Sequence, residues 1–538
     1  MIGVTAPVFI IGIAHARSPT GGGKEMCMLL RKLFKLLFSR YTISALIILL
    51  DIAVLAYLIV SFSAYSVVFL VEVLIVNLMV LIAIMNADYN PEYRVSWIAV
   101  VLMFPVVGAL LYVLFHRHGM REKDRQRATE SMEKMLELDT HDVPLDSLSE
   151  IDELAAGKAR AITRCDPAAR LYTGASVYYP SGEELYADML RALGSAEKFI
   201  FLEYFIIEEG VMWGGILGIL KEKAAAGVEV RVMFDDIGCM RRLPGGYERT
   251  LRSYGIMAQR FSPASPRVSA VHNNRDHRKI CIVDGVVAFT GGANIADEYI
   301  NAEERFGHWK DGGVSLRGEA VNGLTRLFIS LWDMTSGNAS DFEKYITKCQ
   351  EKVTDRGYYM PFGSGPGPLY PGKSGKRVFE DLINQARRYV YITTPYLIVD
   401  FDLTSSLIGA AERGVDVRII TPAKADKRLV KVMTKSSYAQ LIASGVKIYE
   451  YTPGFIHEKL VVSDDVYAVI GTINFDYRSL VHHFEDAVWI CGSPTVAAAR
   501  DGFLDTLSRS AEISEEQARL KLHEWVVKCL LRIFAPLM

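Results

Sequence analysis

A histidine and a lysine stand two residues apart in "DHRKICIVDG", residues 276–285, and an aspartate follows the histidine by seven: His277, Lys279 and Asp284. The spacing recurs in "IHEKLVVSDD", at His457, Lys459 and Asp464. In both stretches an asparagine lies 17 residues beyond the histidine, Asn294 and Asn474, in the turns "GGAN" and "GTIN" that also hold Gly292 and Thr472. On a strand, residues i and i+2 share a face, so each histidine lies beside its lysine. A neutral imidazole can attack phosphorus, and the ammonium supplies fixed positive charge where phosphoryl oxygens gain negative charge. Two such half-sites facing one another give one histidine to attack and one to protonate the leaving oxygen. The asparagine amides and the N–H groups of the two turns add donors. Asp284 and Asp464 have two readings: acceptors that fix the imidazole tautomer, or turn residues in "VDGV" and "SDDV". One His-x-Lys pair is commonplace on a polar strand; two copies with matched Asp and Asn are not.

The elements that must position these residues are also written twice. "KFIFLEYFII" (198–207) and "RYVYITTPYLI" (388–398) predict buried strands. Each is followed by a helix that stops at a glycine, Gly227 or Gly414, and then by a strand opening on Val228-Glu229-Val230-Arg231 or Val415-Asp416-Val417-Arg418. The two histidines are 180 residues apart (457 − 277), which makes this a duplicated α/β domain and not a short solenoid repeat.

Composition removes several alternatives. At 538 residues the chain exceeds one compact domain. Its net charge of −2 argues against a nucleic-acid partner, and its seven scattered cysteines form no CxxC pair, which argues against a zinc site or disulfide framework. Residues Ile43 to Met85 are apolar except for Asp51 and Glu72, a length for two membrane spans, and "SWIAVVLMFPVVGALLYVLF" (96–115) suits a third. Asp51 and Glu72 are expected near an interface or paired between helices. Arg117, Arg121, Lys123, Arg125 and Arg127 place the C-terminal part in the cytoplasm. The tail "RKLFKLLFSR" is basic too, so either one run does not cross fully or the tail is an exception. The predicted organisation is a basic amphipathic tail (1–40), an anchor of two to three helices (41–118), a charged helical linker (119–165), two α/β domains (166–355 and 356–512) and a C-terminal amphipathic helix (513–538). That last helix sets Leu522, Trp525, Val526 and Leu530 among Lys521, Lys528 and Arg532, and either lies in an anionic bilayer interface or docks on the catalytic core.

The doubled HxKx4D with its G-x-x-N turn resembles the signature of the phospholipase D superfamily. Within it, "YNPEYRVSWIAVVLMFPVVGALLYVLF", "HWKDGGVSL", "ITTPYLIVD", "NFDYRSL" and Phe484-Glu485 are similar to the bacterial cardiolipin synthase family. The resemblance implies two tandem phospholipase D-like α/β sandwich domains related by a pseudo-two-fold, behind a helical anchor in the bacterial cell membrane. It implies metal-independent transphosphatidylation, without a cofactor, of two phosphatidylglycerol molecules to cardiolipin plus glycerol. His277 would be the nucleophile and His457 the acid and then the base, although the residues alone leave the two interchangeable. Lys279, Lys459, Asn294 and Asn474 would hold the phosphate, with Gly292, Thr472 and Glu485 also at the substrate. Partners would be phosphatidylglycerol and other anionic lipids. The alternative is a phospholipase D-type phosphodiesterase that hydrolyses phospholipid or uses another alcohol. Three positions depart from the family: Asp276 where Asn is common, Thr472 where Ser is common, and "SGPGP" near Ser364, which lacks an acid found in many relatives.

Overall fold

The computed structural model describes residues 67–534 except 88–89, 117–119, 121, 138–142, 264–273, 347–354 and 356, together with Ala53, Tyr57 and Val60. The chain divides into two compact units, Met1–Glu72 with Ser265–Val268, and Val73–Ala264 with Ser269–Met538; the second carries both histidine motifs.

Two mixed sheets form the frame. The first has seven strands in the order Ala175–Tyr179, Gly313–Arg317, Val287–Gly291, Lys279–Val283, Phe199–Tyr204, Glu229–Asp235, Met257–Phe261. The second repeats that order with Tyr358–Ser364, Glu485–Cys491, Tyr467–Gly471, Leu460–Ser463, Tyr389–Thr393, Asp416–Pro422, Lys447–Tyr451, and adds Tyr172–Thr173 and Ser510–Glu512 at its edges. In each, the two strands predicted from the repeated sequence run parallel, joined by a crossover helix, Val211–Ala225 or Phe401–Glu412. The histidine-motif strand pairs antiparallel beside them. Strands covered on both faces favour continuous apolar runs, and "FIFLEY" and "YVYIT" are buried throughout. The outer faces pack on helices such as Gly182–Gly194 and Ser374–Gln385. The inner faces share one core, in which Phe201, Ile280 and Val314 of the first sheet join Leu460, Ile470 and Val488 of the second. Helices Val321–Ser336 and Pro494–Ser508 lie between the sheets, each touching both.

Among the described residues of 119–165, Glu122–Glu137, Leu145–Glu150 and Ala155–Cys165 are helical, and the two longer helices are packed down. Helix Glu122–Glu137 lies on Val321–Ser336, where Arg326 Nη1 donates to Met135 O at 3.1 Å. Helix Ala155–Cys165 lies on Ser374–Gln385 of the second half, and Tyr172–Thr173 pair with Tyr358–Tyr359 before the chain enters the first sheet.

The third apolar run departs from expectation. It folds as two short helices, Pro91–Met103 and Pro105–Phe115, instead of one spanning rod. Pro105 has no N–H to continue the first helix, and the chain turns at Phe104. The helices then pack on each other, with the Trp97 and Tyr112 rings 5.3 Å apart. A Cβ on Gly108 would sit 2.5 Å from Val100 O, so only glycine permits this approach. At 13 residues, about 20 Å, the longer helix falls short of a roughly 30 Å hydrocarbon core. No helix among the described residues is long and apolar enough to cross a membrane. Asp51 and most of the first apolar run lie outside the described residues, and Glu72 is exposed. Helix Leu522–Phe534 is docked, packing on Arg428–Lys435 and Pro91–Met103, and leaves Trp525 53% and Leu530 61% exposed.

Candidate active site

Each motif histidine sits just ahead of its strand and is fastened to the other half of the chain. The His277 N–H donates to Phe484 O at 2.9 Å, and the His457 N–H donates to Lys310 O at 2.7 Å. The residue after each of those carbonyls is an acid. His277 Nδ1 lies 2.9 Å from both carboxylate oxygens of Glu485, and His457 Nδ1 lies 2.8 Å from Asp311 Oδ2. The strand pair Gly454–Ile456 and His308–Lys310, with the bridge between Asp276 and Phe484, sets the approach. The two half-sites have therefore exchanged their carboxylates.

Burial determines the protonation of these groups. It lowers His277 to about 3, against the opposing pull of Glu485, and His457 to about 4. Both rings are neutral at rest, and a carboxylate at Nδ1 favours the tautomer that donates Nδ1–H and leaves Nε2 unprotonated. Burial alone would raise Glu485, but its contact with His277 holds it well below the usual carboxylate range; Asp311 is lowered in the same way through His457. The lysines lie close. Lys279 Nζ donates to His277 O at 2.6 Å, and Lys459 Nζ lies 2.9 Å from His457 Nδ1. Burial lowers Lys279 to about 8 and Lys459 to about 7, so both ammonium charges are poorly compensated and attract an anion.

The residues between histidine and lysine point the other way, as strand alternation requires. Arg278 Nη1 donates to Leu327 O at 2.9 Å, and Glu458 accepts from Tyr178 OH at 2.5 Å and pairs with Lys310 at 3.1 Å. Asp276 shares that far side: it accepts from Arg278 N at 3.2 Å, and burial raises it to about 7.

Asp284 and Asp464 do not meet the imidazoles. Asp284 accepts from the N–H groups of Glu197, Lys198 and Phe199, each at 2.7 Å, and Asp464 accepts from Arg387, Arg388 and Tyr389 at 2.8–3.0 Å. Both sit in left-handed turns, at φ 55° and 58°, and pin the start of the neighbouring strand. The turn reading holds for both, and the imidazole-partner reading is corrected. Seven residues carry a side chain past the end of a strand of five residues in the first half and four in the second, away from its beginning.

Asn294 is occupied locally: it accepts from Ile206 N at 3.1 Å and donates to Tyr299 OH at 2.7 Å. Asn474 is buried, and its Oδ1 has no hydrogen-bond partner among the described residues. The Thr472 hydroxyl donates to Glu485 Oε2 and accepts from Asp486 N at 3.0 Å. Its counterpart Gly292 leaves room for Asp311, whose Oδ1 would lie 2.0 Å from a Cβ there. Ser364 Oγ, in the stretch without an acid, accepts from Gly375 N at 3.3 Å. Sequence reasoning missed Asp311 as the His457 partner, although it lies in "HWKDGG", two residues ahead of Gly313–Arg317, the strand that matches Glu485's. It also missed His483, buried with its ring centroid 5.7 Å from that of His277.

Comparison with known proteins gives the family. The description "Cardiolipin synthase, PLD-like domain" matches residues 189–307 and 379–506, and "Phospholipase D-nuclease N-terminal" matches 75–117. The chain is 39% identical to an uncharacterized protein of Streptococcus mutans over 85% of its length and 98% of that protein's. It is 30% identical to a cardiolipin synthase of Halalkalibacterium halodurans, covering 88% of this chain and 94% of the relative, and 32% identical to one of Alkalihalophilus pseudofirmus, covering 84% and 88%. The crystal structure of a phosphatidylserine synthase from Haemophilus influenzae shares the fold with a TM-score of 0.54 at 16% identity, over 71% of this chain and 98% of that one. By its duplicated sheets, its paired motifs and these relatives, the chain belongs to the phospholipase D-like cardiolipin synthase family.

Proposed function

We propose that this protein joins two phosphatidylglycerol molecules into cardiolipin and releases glycerol, through a phosphatidyl-histidine intermediate. The observation that carries this reading is the pair of neutral, buried histidines, each held through Nδ1 by a carboxylate and accompanied by a lysine. His277 Nε2 attacks phosphorus; a P–N bond forms, the P–O bond to glycerol breaks, and His457 protonates the departing oxygen. An incoming phosphodiester anion favours the protonated form of a nearby imidazole, so substrate binding loads the proton that the resting site lacks. In the second half-reaction the hydroxyl of another phosphatidylglycerol gives its proton to His457 Nε2 and displaces His277. Glu485 and Asp311 balance the charge that grows on each ring. Lys279, Lys459 and the Asn474 amide receive the phosphate.

Membrane attachment suits such substrates. The N-terminal apolar runs anchor the chain in a bacterial cell membrane, and the basic flank Arg121 to Arg127 keeps residues 166–355 and 356–512, the two catalytic domains, on the cytoplasmic side. The exposed apolar side of Leu522–Phe534 rests in the interface. The test is the product: purified protein with phosphatidylglycerol vesicles and no added divalent metal should yield glycerol and a four-chain lipid. Phosphatidic acid as the main product would point to hydrolysis, and loss of turnover with EDTA would exclude this mechanism.

A further inference from the structure

Phosphoryl transfer leaves one side chain beside His277 and Glu485 unused. His483 is only 8% exposed, and neither of its ring nitrogens has a hydrogen-bond partner among the described residues. Leaving a buried polar group unpaired costs about 1–3 kcal/mol, so the position calls for an explanation. Its Nδ1 lies 3.8 Å from Glu485 Oε1, which in turn lies 2.9 Å from His277 Nδ1. One donor atom from each of the three residues can be chosen with all of them within 4.8 Å of one another. Two ligands bound to zinc at about 2.0–2.1 Å with a tetrahedral angle stand about 3.3 Å apart, and the separations present straddle that value. Two imidazoles and a carboxylate are also a donor set that zinc uses.

The other half-site lacks this arrangement. The residue two before Asp311 is Trp309, as His483 is two before Glu485. The Trp309 ring lies 5.5 Å from that of His457, in the place His483 takes beside His277. An indole N–H offers no lone pair, so the duplicated frame holds a third ligand on one side only.

We propose that His277, His483 and Glu485 bind one zinc-type divalent ion and that this ion switches the site off, the second part resting on His277 being the nucleophile. An ion on His277 Nδ1 replaces the proton there. The neutral ring then carries its proton on Nε2, and the lone pair that attacks phosphorus is gone. Glu485 is captured at the same time. No covalent bond changes, so a chelator reverses the state.

The experiment uses the full-length protein in detergent, stripped with EDTA and dialysed. Zinc chloride is titrated by calorimetry, and cobalt(II) by visible absorption, into the parent and the variants His483→Gln, His483→Asn and His457→Gln. The parent and His457→Gln should bind one ion with tetrahedral cobalt bands. Both His483 variants should lose those bands and weaken zinc by more than the roughly 10–100-fold that follows loss of a mere supporting partner. Thermal melts of the unliganded variants identify any that fail to fold. Equal zinc affinity in folded parent and His483 variants overturns the site. Zinc bound through His483 without a fall in lipid turnover overturns the switch. Absence of any transphosphatidylation refutes the proposed reaction instead, and the calorimetry still decides the site.

Discussion

His277 Nδ1 touches both carboxylate oxygens of Glu485, a residue 208 positions further along the chain. The mirror contact, His457 to Asp311, spans 146. Exchange of the acids makes each histidine's basicity a property of the opposite half. Glu485→Gln should therefore act like damage to the first motif, and Asp311→Asn like damage to the second. Each should lower kcat by about 10²–10⁴, the range of a lost acid–base partner, with melting temperature little changed. His277→Ala and His457→Ala should each abolish turnover in the lipid-product assay. Substantial activity in either would refute a shared site.

Asp284 and Asp464 should behave differently. Each collects three backbone N–H groups at a turn. Asp284→Ala should lower stability by about 1–3 kcal/mol, visible as an earlier denaturant midpoint, while kcat of the folded fraction stays within severalfold. A thousandfold loss of kcat in well-folded protein would return this residue to the chemistry.

The lysines set the pH dependence. Burial lowers Lys459 to about 7 and Lys279 to about 8, and anion binding needs the protonated forms. kcat/KM should fall as pH rises through 7 to 8. Stability moves in the opposite sense: between pH 7 and 10.5 the unfolded chain binds more protons at Lys459 than the folded one, so this group's destabilising effect fades as pH rises. Lys459→Met should accordingly stabilise the protein most below about pH 7, with the difference from the parent shrinking toward pH 10. A constant difference in denaturation midpoints would contradict a depressed lysine.

Helix Leu522–Phe534 presents Trp525 and Leu530 to solvent beside Lys528 and Arg532. Trp525→Glu with Leu530→Glu should reduce sedimentation with phosphatidylglycerol vesicles and raise the apparent KM for lipid, while a short-chain soluble substrate is turned over as before. Unchanged vesicle binding would mean that the helix serves only to brace Arg428–Lys435.

Much of this was legible in the sequence because it is local and repeated. Strand alternation placed His277 with Lys279 and turned Arg278 away, and the helix stops at Gly227 and Gly414 marked parallel strands. The carboxylate partners were hidden for a physical reason. Asp311 follows His277 by 34 residues and Glu485 follows His457 by 28, and neither serves the histidine of its own half, so no spacing rule joins the working pairs. Asp284 was the visible acid and the wrong one, since a β-turn binds its side chain first. The break at Phe104–Pro105 was written in the proline but masked by the apolar run around it.

Exchanged carboxylates also constrain genetics. A chain lacking His277 and a second lacking His457, mixed together, each keep one histidine with its carboxylate, yet neither molecule holds both histidines. Rescue between them requires two chains to trade halves, as in a domain-swapped dimer. Intragenic complementation would thus report on whether the linker between the halves can open.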